Sequence, residues 1–409
     1  MADFEKTYQD AFEAGLLPGV ALLASNKDGT FHYSKTIGVR SLAESSTPQP
    51  MQLDSILGIA SCTKLMTAIS VLQCVERGLL DLDADVSDIL PETSEFGVIT
   101  AFDEVKNEAT IIPRTKKMTL GHLLTHTSGY TYDLITPLLT SWRVSCSETP
   151  WLGGTIPQKC TLPLLFEPGT SWMYGCSLEW AGKAVERATG LTLEEYMKAN
   201  IWSPLGLDDI TFYPKEREDM KERMATLAML DPDGIAVDAS DFDMNAGATD
   251  CLGGGGAFAS MPAYFTLLQA VMREDPKLLS KASYEELWRP QLDDVCKEAF
   301  NELIKTDDMW YTILGVGVPR EARKDWCFAG LVCEEGFEGG HSKGTVLWGG
   351  LPCLVWFIDR EKGLCGIAGA QVMPPMEPRI MDLHEGFQKG IYDVFAKAGE
   401  EVVGGDEGR

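Results

Sequence analysis

The sequence predicts an α+β fold: strands from both ends of the chain share one antiparallel sheet flanked by helices, and a mostly helical second domain lies between them. Three observations predict it. Apolar runs of strand length stand near the start (VALLASN, then TFHYSKTIGVR) and again near the end (GTVLWGG, CLVWFID and GLCGIAGAQV). Between them, helical apolar spacing dominates. The 409 residues are too many for one small core and suit two closely packed domains.

A short helix is expected over residues 3–14. Pro18-Gly19 then turns the chain into VALLASN, and Asp28-Gly29 joins that run to the next as a hairpin. In GIASCTKLMTAISVLQCVERGLLDLD, residues Leu65, Ala68, Ile69, Leu72, Val75 and Leu79 recur at helical spacing, so a helix begins at about Ser61. From about Asp81 to Leu279, helical stretches such as LEWAGKAVERATG, LTLEEYMKANIW and MPAYFTLLQAVMRED alternate with turn markers. The segment from Arg360 to Gly363 joins the last two strand-like runs as a second hairpin. A last helix is expected over 379–397, followed by an acidic, Gly-rich tail over 399–409 expected to fray. Residues 1–80 and 310–398 would then form the sheet domain and 81–309 the helical one, with Ser61 in the cleft between them.

Composition excludes several functions. Against 35 Lys+Arg stand 61 Asp+Glu, a net charge of -26, which repels phosphate backbones and anionic lipid. Neither nucleic acid nor a membrane surface is an expected partner. No segment approaches the ~20 apolar residues of a bilayer span. MADFEKTYQDAFEAGLLPGV lacks the basic-then-apolar pattern of an export signal, and the 11 cysteines are scattered without C-x-x-C pairs. A cytoplasmic protein with reduced thiols is expected.

Ser61-Cys62-Thr63-Lys64 has the S-x-x-K form of a serine nucleophile with a lysine partner. Residues three apart on a helix share a face, so Lys64 can point its amine back toward the Ser61 hydroxyl. A free serine needs a base, and lysine serves when desolvation or nearby positive charge favours its neutral form. The unpaired N–H groups of the first turn favour the anion that develops on the substrate. Tyr174, in a loop ahead of a helix, is a candidate to share the proton, with Tyr130 and Tyr132 competing for that role. Trp348-Gly349-Gly350 ends a strand and leads into Leu351-Pro352. Small residues there let a backbone N–H near Gly350 or Leu351 join that of Ser61 as an oxyanion hole.

Other constellations read as structural. Gly253-Gly254-Gly255-Gly256 lacks the Lys-Ser/Thr of a phosphate loop. His122 and His126 are four apart, but no glutamate follows His122 as a zinc helix needs, so no metal or cofactor is expected. Gly340-His341-Ser342-Lys343-Gly344 matches the G-x-S-x-G nucleophile elbow and is the internal rival to Ser61, although a strand-like run follows it where the elbow requires a helix.

Taken together, these residues resemble the serine β-lactamase-like superfamily of penicillin-binding proteins, class C β-lactamases and related esterases. The landmarks run in the family's order over nearly the whole chain: PGVALL, SCTK, ERGLLDLDADVSDILPE, LLTHTSGY, EPGTSWMYG, GGGGAFAS and WGG. Within that group VLQCVERGLLDLD, YGCSLEWAGKAVERATGLTLEEY, WSPLGLDDITF and GGLPCLVWFIDREKGLC are most similar to fungal acyltransferases of the lovastatin-forming type. The resemblance implies the β-lactamase/transpeptidase-like fold, Ser61 as the acylated nucleophile, Lys64 as its partner and Tyr174 as the second member of the relay. It implies an oxyanion hole from Ser61 and the Gly350-Leu351 turn.

Two departures bear on substrate. Trp348-Gly349-Gly350 stands where penicillin-handling members carry Lys-Thr-Gly, which argues against β-lactam and D-Ala-D-Ala substrates. Tyr174-Gly175-Cys176 replaces Tyr-x-Asn, removing an amide that would contact a peptide-like acyl group. The expectation is transfer of an acyl group from a thioester or ester donor, free or carrier-bound, to a hydroxyl of a hydrophobic small molecule. A carboxylesterase is the alternative.

Overall fold

The computed structural model describes residues 2–43, 48–337 and 339–404. Its central sheet has seven strands: β1 Gly19–Asn26, β2 His32–Gly38, β3 Lys324–Trp326, β4 Leu331–Cys333, β5 Val346–Gly350, β6 Leu354–Asp359 and β7 Leu364–Ala370. Their order is β3-β4-β5-β6-β7-β1-β2, every neighbouring pair antiparallel. The two ends of the chain meet where Val20 pairs with Ala370 and Leu23 with Ile367. The first hairpin is set by Asn26, whose side-chain Oδ1 accepts from the Thr30 and Phe31 amides at 2.9 and 3.0 Å. Asp359 does the same for the second, accepting from the Lys362 amide at 2.9 Å.

Every residue of β1, β6 and β7 is buried. Successive strand side chains point to opposite faces, so these strands are covered on both sides. The helices involved are α1 Asp3–Glu13, α2 Thr63–Glu76, α3 Ser177–Thr189, α4 Met261–Arg273 and α5 Pro378–Gly404. α1 and α5 pack together through Phe4 and Phe387, edge to face at 5.6 Å. α4 lies against the sheet where Met261 meets Gly369.

The structure departs from expectation in four places. β3 and β4 were not foreseen; at three residues each they are too short to show alternation. The middle of the chain holds more than helices: it has a hairpin of Val98–Asp103 and Glu108–Ile112, and two small three-stranded sheets join its short strands to Ile56–Gly58 and to Val372–Met373. The helix after Ser61 ends at Glu76, leaving Leu79 beyond it and 48% exposed. α5 extends through Gly404, past the expected end at 397; of the tail expected to fray, residues 405–409 lie outside the described residues. Among the described residues, no helix is long and apolar enough to cross a membrane.

Candidate active site

Ser61 sits in a single 3-10 turn, Ala60–Cys62, that runs directly into α2. The tighter turn leaves Lys64 three residues on, with its amine 3.2 Å from the Ser61 hydroxyl oxygen. The turn is entered through Ala60 at φ 42°, a left-handed conformation that costs a residue with a Cβ and is maintained only where the surroundings fix it. Those surroundings are the Ile59 amide bonded to the Ala257 carbonyl at 3.0 Å and the Tyr264 hydroxyl bonded to the Cys62 carbonyl at 2.8 Å.

The four-glycine segment forms a wall of the site by close backbone approach. Lys64 donates to the Gly254 carbonyl at 2.6 Å and Thr67 to that of Gly253 at 2.7 Å. A Cβ on Gly253 would come within 2.7 Å of the Leu178 carbonyl, so only glycine lets this loop lie between α2 and α3.

The three tyrosines separate cleanly. Tyr174 donates to the Ser61 oxygen at 2.7 Å, and the Lys64 amine lies 4.7 Å from the centre of its ring. Tyr132 accepts from Lys64 at 3.3 Å and donates to Glu179 Oε1 at 3.3 Å. Tyr130 is buried against Trp180, its ring 6.4 Å away. Burial, then the charge of Glu179, pushes the Tyr132 phenol well above its ordinary range. Burial also raises the Glu179 carboxyl, against the opposing pull of Lys64.

At the end of β5, Gly350 meets the serine turn. A Cβ there would stand 2.3 Å from the Ile59 carbonyl oxygen and 3.4 Å from Cys62 Sγ. Gly349 is as tight, 2.3 Å from the Leu354 carbonyl. Trp348 lays its ring 5.2 Å from that of Tyr174 and 4.5 Å from that of Trp326. Leu351 follows at the mouth, 38% exposed. Ser61, Lys64, Tyr174 and the segment from Trp348 to Leu351 therefore converge on one place.

That place is a cavity of about 280 Å³. Trp151, Phe242, Met244, Ile313, Met373 and Met376 contribute much of its apolar wall, with Ser61, Tyr132, Tyr174 and Glu179 among its polar groups. Glu179 was not foreseen. Its signal in the sequence is a carboxylate one helical turn before Gly182, on the side of α3 that packs against Gly253.

The rival serine is elsewhere engaged. Residues 340–344 connect β4 to β5, a strand-to-strand link, and the Ser342 amide donates to Asp359 Oδ2 at 3.0 Å. His341 faces Tyr392 and Gln388, at 3.0 and 3.3 Å. The histidine pair does not act together either. His122 Nδ1 accepts from the Thr119 amide at 3.3 Å, closing a helix cap. His126 is packed among Trp172, Tyr174 and Trp326, and burial holds it well below its ordinary pKa and hence neutral.

A terminal-strand sheet and a serine, lysine and tyrosine gathered at the start of a buried helix define a β-lactamase-like enzyme. The profile of the Beta-lactamase family matches residues 4–389. The chain is 36% identical over 395 residues to lovastatin esterase of Penicillium rubens, covering 95% of this chain and 97% of that protein. It is 35% identical over 394 residues to monacolin J acid methylbutanoyltransferase of Aspergillus terreus, covering 95% and 94%. A mutant of simvastatin synthase from Aspergillus terreus superposes with a TM-score of 0.89 at 33% identity, over 96% of this chain and 95% of that one. The chain belongs to the β-lactamase family, among its acyltransferases and esterases.

Proposed function

We propose that the protein is a serine acyltransferase that moves an acyl group from an ester or thioester to a hydroxyl of a hydrophobic small molecule, through an acyl-Ser61 intermediate. Ser61 loses its proton through Tyr174 and Lys64 and attacks the donor carbonyl. The Ser61 amide and one from the Gly350-Leu351 turn hold the resulting oxyanion, and the leaving thiol or alcohol takes the proton. An acceptor hydroxyl then repeats the sequence in reverse. The observation that carries this reading is the pair of contacts on one oxygen: Tyr174 at 2.7 Å and Lys64 at 3.2 Å from Ser61 Oγ, facing an apolar cavity.

Water in place of the acceptor would make the same site a carboxylesterase, and the 36% identity to a relative named as an esterase favours keeping that second reading. The apolar wall disfavours water and so supports transfer. The test is a partition experiment. With a short acyl thioester and an excess of apolar alcohol, new ester should exceed free acid; free acid alone at every alcohol concentration would establish the esterase. A cytoplasmic location is supported by the 11 free cysteines, of which Cys146 is the one exposed.

A further inference from the structure

Lys159, in the one-turn helix Ile156–Cys160, is fully buried, yet among the described residues it pairs with no carboxylate. Its amine donates to the Trp151 carbonyl at 2.6 Å and to the Ala246 carbonyl at 3.2 Å, and lies 5.1 Å from the centre of the Trp151 ring. Both acceptors belong to residues that carry a Cβ into the left-handed region, Trp151 at φ 59° and Ala246 at φ 47°. Backbone of that kind persists only where its surroundings hold it. Lys159 is itself held from behind. Its carbonyl accepts from Arg143 at 2.6 Å, and Arg143 is ion-paired with the buried Asp133 at 2.8 Å. The next carbonyl, that of Cys160, accepts from the Trp180 indole at 3.1 Å.

The two carbonyls come from separate segments that both line the cavity, Trp151 from one and Phe242, Met244 and Asn245 from the other. The second segment is fastened at its ends: the Ala239 amide donates to the Leu227 carbonyl at 2.9 Å, and the Thr249 amide to the Gly154 carbonyl at 2.6 Å. Between those points, among the described residues, residues 240–248 bond only to one another and to Asp238 and Ala239, apart from the bond that Lys159 makes to Ala246. Apolar packing adds one more hold, where Met244 reaches Gly58 so closely that a Cβ there would stand 2.7 Å from its methyl. One buried ammonium therefore draws a strap over the cavity toward Trp151, whose ring stands edge-on to that of Tyr132 at 5.0 Å. Bonds from a charged donor are roughly twice as strong as neutral ones. Without the amine, both carbonyls would lose that donor and the strap its polar fastening.

We infer that Lys159 is a positioning residue: it holds segment 240–248 closed against Trp151, and this closure directs the acyl group on Ser61 to an acceptor hydroxyl instead of water. The inference rests on the acyl-transfer reading of the same cavity. Water needs only a gap to reach the acyl group, whereas an apolar acceptor needs both walls in place. The test is Lys159→Met, which keeps the length of the side chain and removes the donor. With a short acyl thioester and a fixed excess of apolar alcohol, the ratio of new ester to free acid should fall by about fivefold or more from the wild-type value. That ratio is set within the acyl-enzyme, so a smaller folded fraction does not alter it. Under native conditions chymotrypsin should cut Lys159→Met after Phe242 about tenfold faster than the wild type, or more. Met244→Ala keeps Lys159, loosens the strap at Gly58 and should lower the same ratio, which tests the closure even where Lys159→Met fails to fold. An unchanged ratio in either variant, or unchanged cutting after Phe242 in Lys159→Met, would overturn this inference alone. Free acid as the sole product of the wild type at every alcohol concentration would remove the acyl-transfer reading and the inference with it.

Discussion

Tyr174 and Tyr132 both reach the Ser61–Lys64 pair, but only Tyr174 bonds to the Ser61 oxygen, at 2.7 Å, while Tyr132 bonds to Lys64 at 3.3 Å. The two phenols therefore have unequal tasks. Tyr174→Phe removes the group that exchanges a proton with the nucleophile and should lower kcat/KM for an activated ester by about 10²–10⁴. Tyr132→Phe should cost less than about tenfold, since Lys64 keeps its bonds to Ser61 and Gly254. Stopped-flow acylation rates of the two variants decide the matter, and equal losses would contradict this division.

Gly350 should tolerate no larger residue, because it abuts the serine turn itself. Gly350→Ala forces a methyl to within 2.3 Å of the Ile59 carbonyl, in rigid backbone two residues before Ser61. The strand end or the serine turn must shift, and activity should fall at least 100-fold, because small misplacements of this order are felt strongly by the reacting groups. Gly386→Ala, in α5 with nothing within 4 Å of the new methyl, should instead stabilise the protein by about 0.5–1 kcal/mol. Thermal melts and ester turnover of both variants provide the check.

The Ser61–Lys64 pair was legible because S-x-x-K falls where helical spacing begins, and helix geometry alone brings the Lys64 amine back to the Ser61 hydroxyl. Sheet membership was legible for β1, β2, β5, β6 and β7, whose lengths and turn residues are local signals. β3 and β4 are not locally encoded; each is three residues whose pairing depends on a neighbour already in place. Sequence position could not rank Tyr130, Tyr132 and Tyr174, since the ranking arises from where three separate loops meet. Glu179 escaped for a related reason. A glutamate on a helix is ordinarily solvated, and only the approach of Gly254 and Tyr132 from distant segments makes this one buried.

Stability should decline as pH falls from about 6.5 to 4. Burial pushes His341 and His384 down from the ordinary histidine value of 6.5 to about 4. Above pH 6.5 both states are neutral at these sites and pH has no effect through them. Between 6.5 and 4 the unfolded chain binds protons that the folded chain does not, so folding loses free energy across that window, up to about 3 kcal/mol for each histidine. His384 accepts from Tyr8 at 2.6 Å through Nδ1 and donates to the Cys353 carbonyl at 2.8 Å through Nε2, the tautomer this geometry requires. Denaturant midpoints for the wild type should drop between pH 7 and pH 4.5, and His384→Gln should show a shallower drop from a lower starting value. An equal slope in that variant would show that His384 is not a source of the effect.

The most direct measurement is the site of acylation. Protein mixed with a short acyl thioester, quenched in acid and digested, should carry the acyl mass on the peptide that contains Ser61. Ser61→Ala should carry none, and Lys64→Ala should acquire it more slowly by about 10²–10⁴. Wild-type turnover by Ser61→Ala, or an acyl mass found on the peptide containing Ser342, would contradict the account.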